Sequence, residues 1–253
     1  MISVAALQES LAAGASHPCV LEVGWRARPG GDFDGIPGAI QLDTDTLETP
    51  GPAWRLRPLA ELQSLLARLG LGADTPVVIV AGRAIAAARV WWVLRYLGVR
   101  DVRVLDGGSR AWRSAGSPAI DAFRPPRRVL PARARPALVA RGPWLRAQLA
   151  VPGAIRLVDV RSPEEFAGER SGYSYLAARG RIPGAVHGGD ADDAAGLYVR
   201  SDGFLQDPAA IRALWTERGI LHADGSPTAR ELVFSCGGGW RSSLACLYAA
   251  WLG

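Results

Sequence analysis

The sequence predicts an α/β protein made of two similar domains, each a mainly parallel sheet flanked by helices. Three observations predict it. First, the chain repeats itself. "VVIVAGRAIAAARVWWVLRYLG", from Val77 to Gly98, superposes without a gap on "LVFSCGGGWRSSLACLYAAWLG", from Leu232 to Gly253, at an offset of 155 residues. Second, apolar strand-like runs alternate with helix-like segments in both copies, the order of α/β folds with parallel sheets. Third, the Pro/Arg-rich stretch "FRPPRRVLPARARP" separates the copies and reads as an extended linker.

The elements follow in chain order. "VLEVG" is an apolar strand with Glu22 near its end, and an Ile-Pro-Gly-Ala turn follows at Ile36 to Ala39. "LRPLAELQSLLARLGL" has helical periodicity. "VVIVA" then reads as a buried strand, followed by a short loop and a helix closed by Gly98, where a positive φ costs glycine little. "VRDVRVLDGGSRAWRSAG" adds a strand, a glycine turn and a short helix. The second half repeats the series: "LVDV" with Asp159 near its end, an Ile-Pro-Gly-Ala turn at Ile182 to Ala185, the helical "DPAAIRALWTERGIL", the strand "ELVFS", a glycine loop and a last helix. The expected division is residues 1–121, a linker over 122–137, and residues 138–253.

Composition narrows the function classes. Of 253 residues, 49% are hydrophobic and 21% charged, which suits a globular chain rather than a disordered one. The net charge of +5 comes largely from scattered arginines. The dense group, Arg124, Arg127, Arg128, Arg133 and Arg135, reads as a solvated linker rather than a nucleic-acid contact, because no aromatic or motif context accompanies it. Three cysteines, Cys19, Cys236 and Cys246, form no C-x-x-C pair, and three scattered histidines suggest no metal site. The start "MISVAALQESLAAG" lacks the pattern of a signal peptide, and no long apolar run suggests a membrane span. The expectation is a cytoplasmic protein with no metal, no cofactor, no nucleic acid and no membrane partner.

The chemistry concentrates in "SCGGGWRSS". Cys236 falls just after a strand and just before a helix, where ligands of parallel sheets bind. The backbone N–H groups of Gly237, Gly238, Gly239, Trp240 and Ser242 are able to turn toward its sulfur, and the helix adds its positive dipole end. Glycines permit the close approach that such a cradle needs. These surroundings favour a sulfur anion, whether thiolate or persulfide. Arg241 supplies a fixed charge and a planar donor fork for an anionic substrate, Trp240 narrows the pocket or stacks on a donor, and Ser242 caps the helix or donates to the sulfur. Cys19 and Cys246 read as packed structural residues.

The loop "CGGGWRSS", the segment "DVRSPEEFAG", the turn "GRIPGAVH" and the tandem arrangement resemble the rhodanese/mercaptopyruvate sulfurtransferase family, and more narrowly its YnjE-type rhodaneses. The resemblance covers nearly the whole chain. It implies that Cys236 attacks the outer sulfur of thiosulfate or a similar donor and carries it as a persulfide to cyanide, a thiol or a protein acceptor. CDC25-like phosphatases are the near competitor, but their loop is one residue longer than the six residues from Cys236 to Arg241, and the short loop suits sulfur. A non-catalytic or sulfur-carrying interaction module is the alternative from another class. Asp159, Arg161 and His187 read as structural, and Arg170, Tyr173 and Tyr175 lie in a segment expected to overhang the cleft.

Two further expectations follow from the repeat. At the 155-residue offset, Cys236 faces Ala81 and Arg241 faces Ala86, so the first half is a non-catalytic partner. Nothing after Gly253 matches "VRDVRVLDGGSRAWRSAG", so the second domain is expected to lack its last strand and helix. In the family fold that strand is expected inside the sheet, between the first strand and the catalytic one. Its absence would leave two strands unpaired, and the chain would be a truncated form or one completed by another segment.

Overall fold

A computed structural model describes residues 1–13, 17–24, 33–51, 55–116, 119–125, 130–189 and 197–253. The chain divides into two compact units, Met1–Pro136 with Asp202–Phe204, and Ala137–Ser201 with Leu205–Gly253.

The first unit opens with α1 (Val4–Ala12), whose N-cap Ser3 accepts the Ala6 N–H through its hydroxyl. β1 (Cys19–Gly24) is buried along its whole length, as a strand covered on both faces must be. It leads past the Ile-Pro-Gly-Ala turn to β2 (Ile40–Asp43). α2 (Leu59–Arg68) buries Leu62 and Leu66 on its inner face. β3 (Val77–Ala81) is again fully buried and runs into α3 (Ala84–Leu97), which Gly98 ends at φ 101°. β4 (Val102–Val104) and α4 (Gly108–Ser114) complete the unit. All four strands are parallel, in the order β2-β1-β3-β4. Ile2 bridges to Leu105 at the outer edge of β4.

The second unit contains α5 (Gly142–Leu149), β5 (Ile155–Asp159), α6 (Pro163–Ala167), β6 (Val186–His187), α7 (Pro208–Glu217), β7 (Glu231–Ser235) and α8 (Trp240–Leu252). Its sheet is parallel, in the order β6-β5-β7. Leu157, Val158, Ile211, Trp215, Ile220 and Tyr248 are almost wholly buried and make its core. The Tyr248 hydroxyl donates to the carbonyls of Tyr198 and Gln206, so its polar end is satisfied inside the core.

The repeat survives in three dimensions. Glu22 of β1 pairs with Val80 and Gln41, and Asp159 of β5 pairs with Ser235 and His187. Val80 and Ser235 are related by the offset seen in the sequence. Both Ile-Pro-Gly-Ala turns close with the same bond, from the Ala39 and Ala185 N–H groups to the Ile36 and Ile182 carbonyls. Gly38 and Gly184 hold nearly equal φ of 85° and 83°, values that only glycine adopts cheaply.

One expectation needs correction. The strand after the long helix does not enter the sheet between its first strand and the loop-bearing one. β1 pairs directly with β3, β5 pairs directly with β7, and β4 lies outside β3. Because β1 already occupies one edge of β3, the strand that follows α3 takes the other. Among the described residues nothing pairs with the outer edge of β7, so one strand is left as an edge, not two. The linker is tied to the first unit by two backbone bonds, from the Ala73 N–H to the Leu130 carbonyl and from the Arg135 N–H to the Tyr96 carbonyl, while Arg124, Arg133 and Arg135 are exposed, as a solvated stretch requires. Arg127 and Arg128 lie outside the described residues. No helix among the described residues is long and apolar enough to cross a membrane.

Candidate functional site

β7 delivers Cys236 to the carboxyl end of its strand, and α8 begins four residues later at Trp240. The turn between them depends on Gly239, the residue before the helix, which sits at φ 85° in the left-handed region. That conformation lets the Gly239 N–H donate to Cys236 Sγ at 3.1 Å. The thiol in turn lies 3.6 Å from Ser242 Oγ, the acceptor of its proton in this arrangement. Cys236 is half-buried, so its sulfur is sheltered and still reachable.

Gly237 faces the other way. Its N–H donates to the Tyr173 hydroxyl at 2.9 Å, and the tyrosine ring lies so close that a Cβ on Gly237 would sit 2.0 Å from Tyr173 Cζ. Tyr175 packs on Tyr173 with ring centroids 5.4 Å apart. The overhanging segment read from the sequence is therefore in contact with the loop through Tyr173. Burial, followed by the charge of Cys236, raises the Tyr173 pKa above the ordinary phenol value. Gly238 and Trp240 are half-buried, and the Trp240 ring lies in ordinary contact distance of a Cβ built on Gly238.

The Arg241 guanidinium is engaged within the protein. Nη1 and Nη2 donate to the two carboxylate oxygens of Glu165 at 2.6 and 3.0 Å, and Nη2 also donates to the Tyr173 hydroxyl at 2.5 Å. Glu165 is fully buried and Arg241 is 8% exposed. Burial pulls the arginine's pKa down, but the bonds to Glu165 and Tyr173 outweigh it and leave it raised. The fork is thus engaged by a carboxylate of the protein itself.

Glu165 was missed at the sequence level. It is the third residue of α6, in a reciprocal capping box with Ser162: the Ser162 N–H donates to Glu165 Oε2, and the Glu165 N–H to Ser162 Oγ. The Ser-Pro-Glu-Glu spacing signals that cap in the sequence. Nothing in the spacing says that the same carboxylate also meets an arginine 76 residues later. Gly172, at φ 76°, lets the chain cross Glu165 closely, since a Cβ there would lie 2.1 Å from Oε1.

Asp159 and Arg161 form a second buried pair, with Arg161 Nη2 2.6 Å from Asp159 Oδ2. Arg161 also donates to the Gly180 carbonyl, and His187 Nε2 lies 2.8 Å from the Arg161 carbonyl. These residues tie the ends of β5 and β6 to the overhang and do not reach the sulfur. Cys19 is buried and its thiol is pushed up to about 12 by burial. Cys246 is pushed up to about 12 as well, by burial and then by the charge of Cys236. Among the described residues, no group of three or more His, Cys, Asp or Glu side chains is placed to hold a metal ion.

This geometry is a cysteine-bearing strand-to-helix turn on a tandem α/β scaffold. The rhodanese-like domain pattern matches residues 5–115 and again 143–253. The chain belongs to the rhodanese-like family, with two copies of its domain. Thiosulfate sulfurtransferase YnjE of Escherichia coli is 34% identical over 241 residues, which are 92% of this chain and 54% of that protein. The putative thiosulfate sulfurtransferase SseB of Mycobacterium tuberculosis is 35% identical over 242 residues, 88% of this chain and 80% of that protein. The crystal structure of YnjE superposes with a TM-score of 0.78 at 32% identity, over 98% of this chain and 61% of that one. The chain thus spans little more than half the length of YnjE.

Proposed function

We propose that the protein is a sulfurtransferase that moves sulfane sulfur through a persulfide on Cys236. The observation that carries this reading is the position of Cys236: half-buried at the end of a parallel strand, with the Gly239 N–H bonded to its sulfur. The naming of the relatives as thiosulfate sulfurtransferases supports it.

In the first half-reaction, Cys236 Sγ attacks the outer sulfur of thiosulfate. An S–S bond forms to the enzyme, the S–S bond within thiosulfate breaks, and sulfite leaves with the electron pair. In the second, cyanide or a thiol attacks the outer persulfide sulfur, and the Cys236 thiolate departs. Dividing the transfer in this way replaces one difficult encounter by two displacements at the same atom. The Gly239 N–H and the α8 N-terminus stabilise negative charge on the sulfur in both halves. Ser242 Oγ accepts from the thiol and is able to donate to the anion that replaces it. Arg241 acts as a positioning residue that locks the loop to α6 through Glu165, and its charge adds to the field at the sulfur. Gly237, Gly238 and Trp240 line the approach to the sulfur. The donor is a small molecule, the first domain is a non-catalytic partner, and the compartment is the reducing cytoplasm.

Thiocyanate formation from thiosulfate and cyanide tests the reading, with wild type compared against Cys236→Ala. Wild type should turn over, and after thiosulfate alone its Cys236 peptide should gain the mass of one sulfur atom. Equal rates in the two proteins would sink the proposal.

A further inference from the structure

Two of the linker arginines, Arg133 and Arg135, help line a cavity. Leu130 and Arg135 are hydrogen-bonded to the Ala73 N–H and the Tyr96 carbonyl, at 2.9 and 2.7 Å. Between them the chain lies against the end of α3, where a Cβ on Gly98 would sit only 2.1 Å from the Arg133 carbonyl oxygen. Glycine is required there by its φ of 101° and by this contact alike. The linker is thereby fixed in place, and it carries Arg133 and Arg135 to the rim of a concavity whose other wall holds Arg95 and Arg100. The cavity measures about 660 Å³, and Leu130 and Pro131 line its apolar side.

Four arginines thus line one concave surface within the first unit. The acids facing them are few. Arg100 is paired with Asp74 at 2.5 Å, and Asp101, which faces Arg95, is held by Arg103 at 2.7 Å. Arg95 donates to the Arg100 carbonyl. Among the described residues, the guanidinium groups of Arg133 and Arg135 have no acceptor. Burial and then the like charge of Arg135 lower the Arg95 pKa. A glycine-dependent backbone contact and two backbone hydrogen bonds hold the linker beside α3, so the exposed Arg133 and Arg135 stay near Arg95 and Arg100, an arrangement that becomes favourable when an anion enters.

We propose that this cavity is a binding site for a small polyanion carrying a diphosphate group. Planar guanidinium forks match phosphate oxygens two at a time, and four of them exceed what a single phosphate needs. The volume lies within the usual range of small-molecule sites, and a concave surface fits a compact ligand better than a flat macromolecular face. Because the site joins the linker to α3, its occupant fastens one to the other and stabilises the unit. The inference is independent of the sulfur chemistry of Cys236.

Titration calorimetry on the full chain tests it, with inorganic pyrophosphate, ADP, inorganic phosphate and a short single-stranded oligonucleotide as separate probes. Pyrophosphate and ADP should bind one per chain, more tightly than phosphate, and the affinity should fall with added salt. Binding of ADP with none of pyrophosphate identifies a nucleotide source; binding of both identifies the diphosphate itself. The double variant Arg133→Gln/Arg135→Gln should lose about tenfold or more in affinity, the size expected when charge-assisted hydrogen bonds are removed. Should that variant fail to fold, Arg100→Gln, a change at an exposed side chain, should lose roughly threefold or more. Absence of pyrophosphate and ADP binding at millimolar concentration would overturn the proposal. So would unchanged affinity in the variants, or binding of the oligonucleotide alone, which would mark a nucleic-acid surface.

Discussion

Glu165→Gln should be among the most costly single substitutions in the second domain, although Glu165 touches neither the sulfur nor solvent. The side chain is fully buried and accepts two hydrogen bonds from Arg241 and one from the Ser162 N–H. Glutamine keeps the shape and one acceptor oxygen, so the α6 cap survives. It removes the negative charge and leaves a guanidinium, 8% exposed, facing a neutral amide. Breaking a buried ion pair by neutralising one partner costs about 3–5 kcal/mol, and retained packing places this case near ~3. Urea unfolding followed by circular dichroism should show the loss as a lower midpoint. The double variant Glu165→Gln/Arg241→Met, which removes the stranded charge as well, should recover part of it. Because the pair also locks the loop to α6, persulfide formation should fall with the single substitution. A loss below about 1 kcal/mol, the size of an exposed pair, would refute the buried lock. A double variant at least as unstable as the sum of the single ones would refute the coupling.

Other outcomes follow from the same geometry. Tyr173→Phe removes the acceptor of the Gly237 and Arg241 N–H groups and keeps the ring, so it should slow persulfide formation while costing on the order of 1–2 kcal/mol in urea unfolding; an unchanged rate would show that the hydroxyl has no part in holding the loop. Gly237→Ala should displace the Tyr173 ring, which would otherwise lie 2.0 Å from the new Cβ, and Gly237→Ala/Tyr173→Ala should unfold at a higher urea midpoint than a purely additive pair. Iodoacetamide at pH 8 to 10 should label Cys236 alone, read by peptide mass, since Cys19 and Cys246 stay protonated until about pH 12. Cys19 should also make folding stability fall with alkali: its pKa is raised on folding, so the stabilisation is complete below the ordinary thiol value of 9.0 and is lost as pH climbs toward 12, by roughly 1.4 kcal/mol per unit in thermal or urea unfolding, and Cys19→Ala should flatten that slope.

Most of the fold was legible because its signals are local or repeated. The runs around Cys19–Gly24 and Val77–Ala81 are continuous apolar segments, and the Ile-Pro-Gly-Ala turns need glycine at one fixed place. Sheet order was less legible. Which side of β3 receives β4 depends on the hand of the crossover, and no residue in "VRVLD" announces it. Cys236 and its glycines were legible because a strand, a cysteine and a left-handed glycine turn are contiguous. The Glu165–Arg241 pair was not, because two charged residues 76 positions apart look solvated until the backbone closes over both. The linker arginines are exposed, as their composition suggests, while the backbone bonds and the close approach at Gly98 that tie the stretch to α3 leave no mark in that composition.

The first domain shows why the loop cannot be judged by its cysteine alone. At the position matching Gly239 it has Ala84, and that residue has already entered α3. The residue before the helix, Arg83, has φ −126°, where Gly239 in the second domain has 85°. An alanine in the left-handed region costs roughly 1–2 kcal/mol, so the helix starts one residue earlier and the N–H that reaches Cys236 Sγ has no equivalent. Ala81 is 4% exposed, and Gly108 approaches its carbonyl so closely that a Cβ there would lie 2.0 Å away. A sulfur placed at Ala81 would lack both its donor and its access. Ala86 replaces the arginine as well, and "GWRARPGGDFDG" carries no Ser-x-x-Glu cap to answer it. Cysteine, turn glycine, arginine and buried carboxylate differ together between two copies of one scaffold, as parts of a single mechanical unit would.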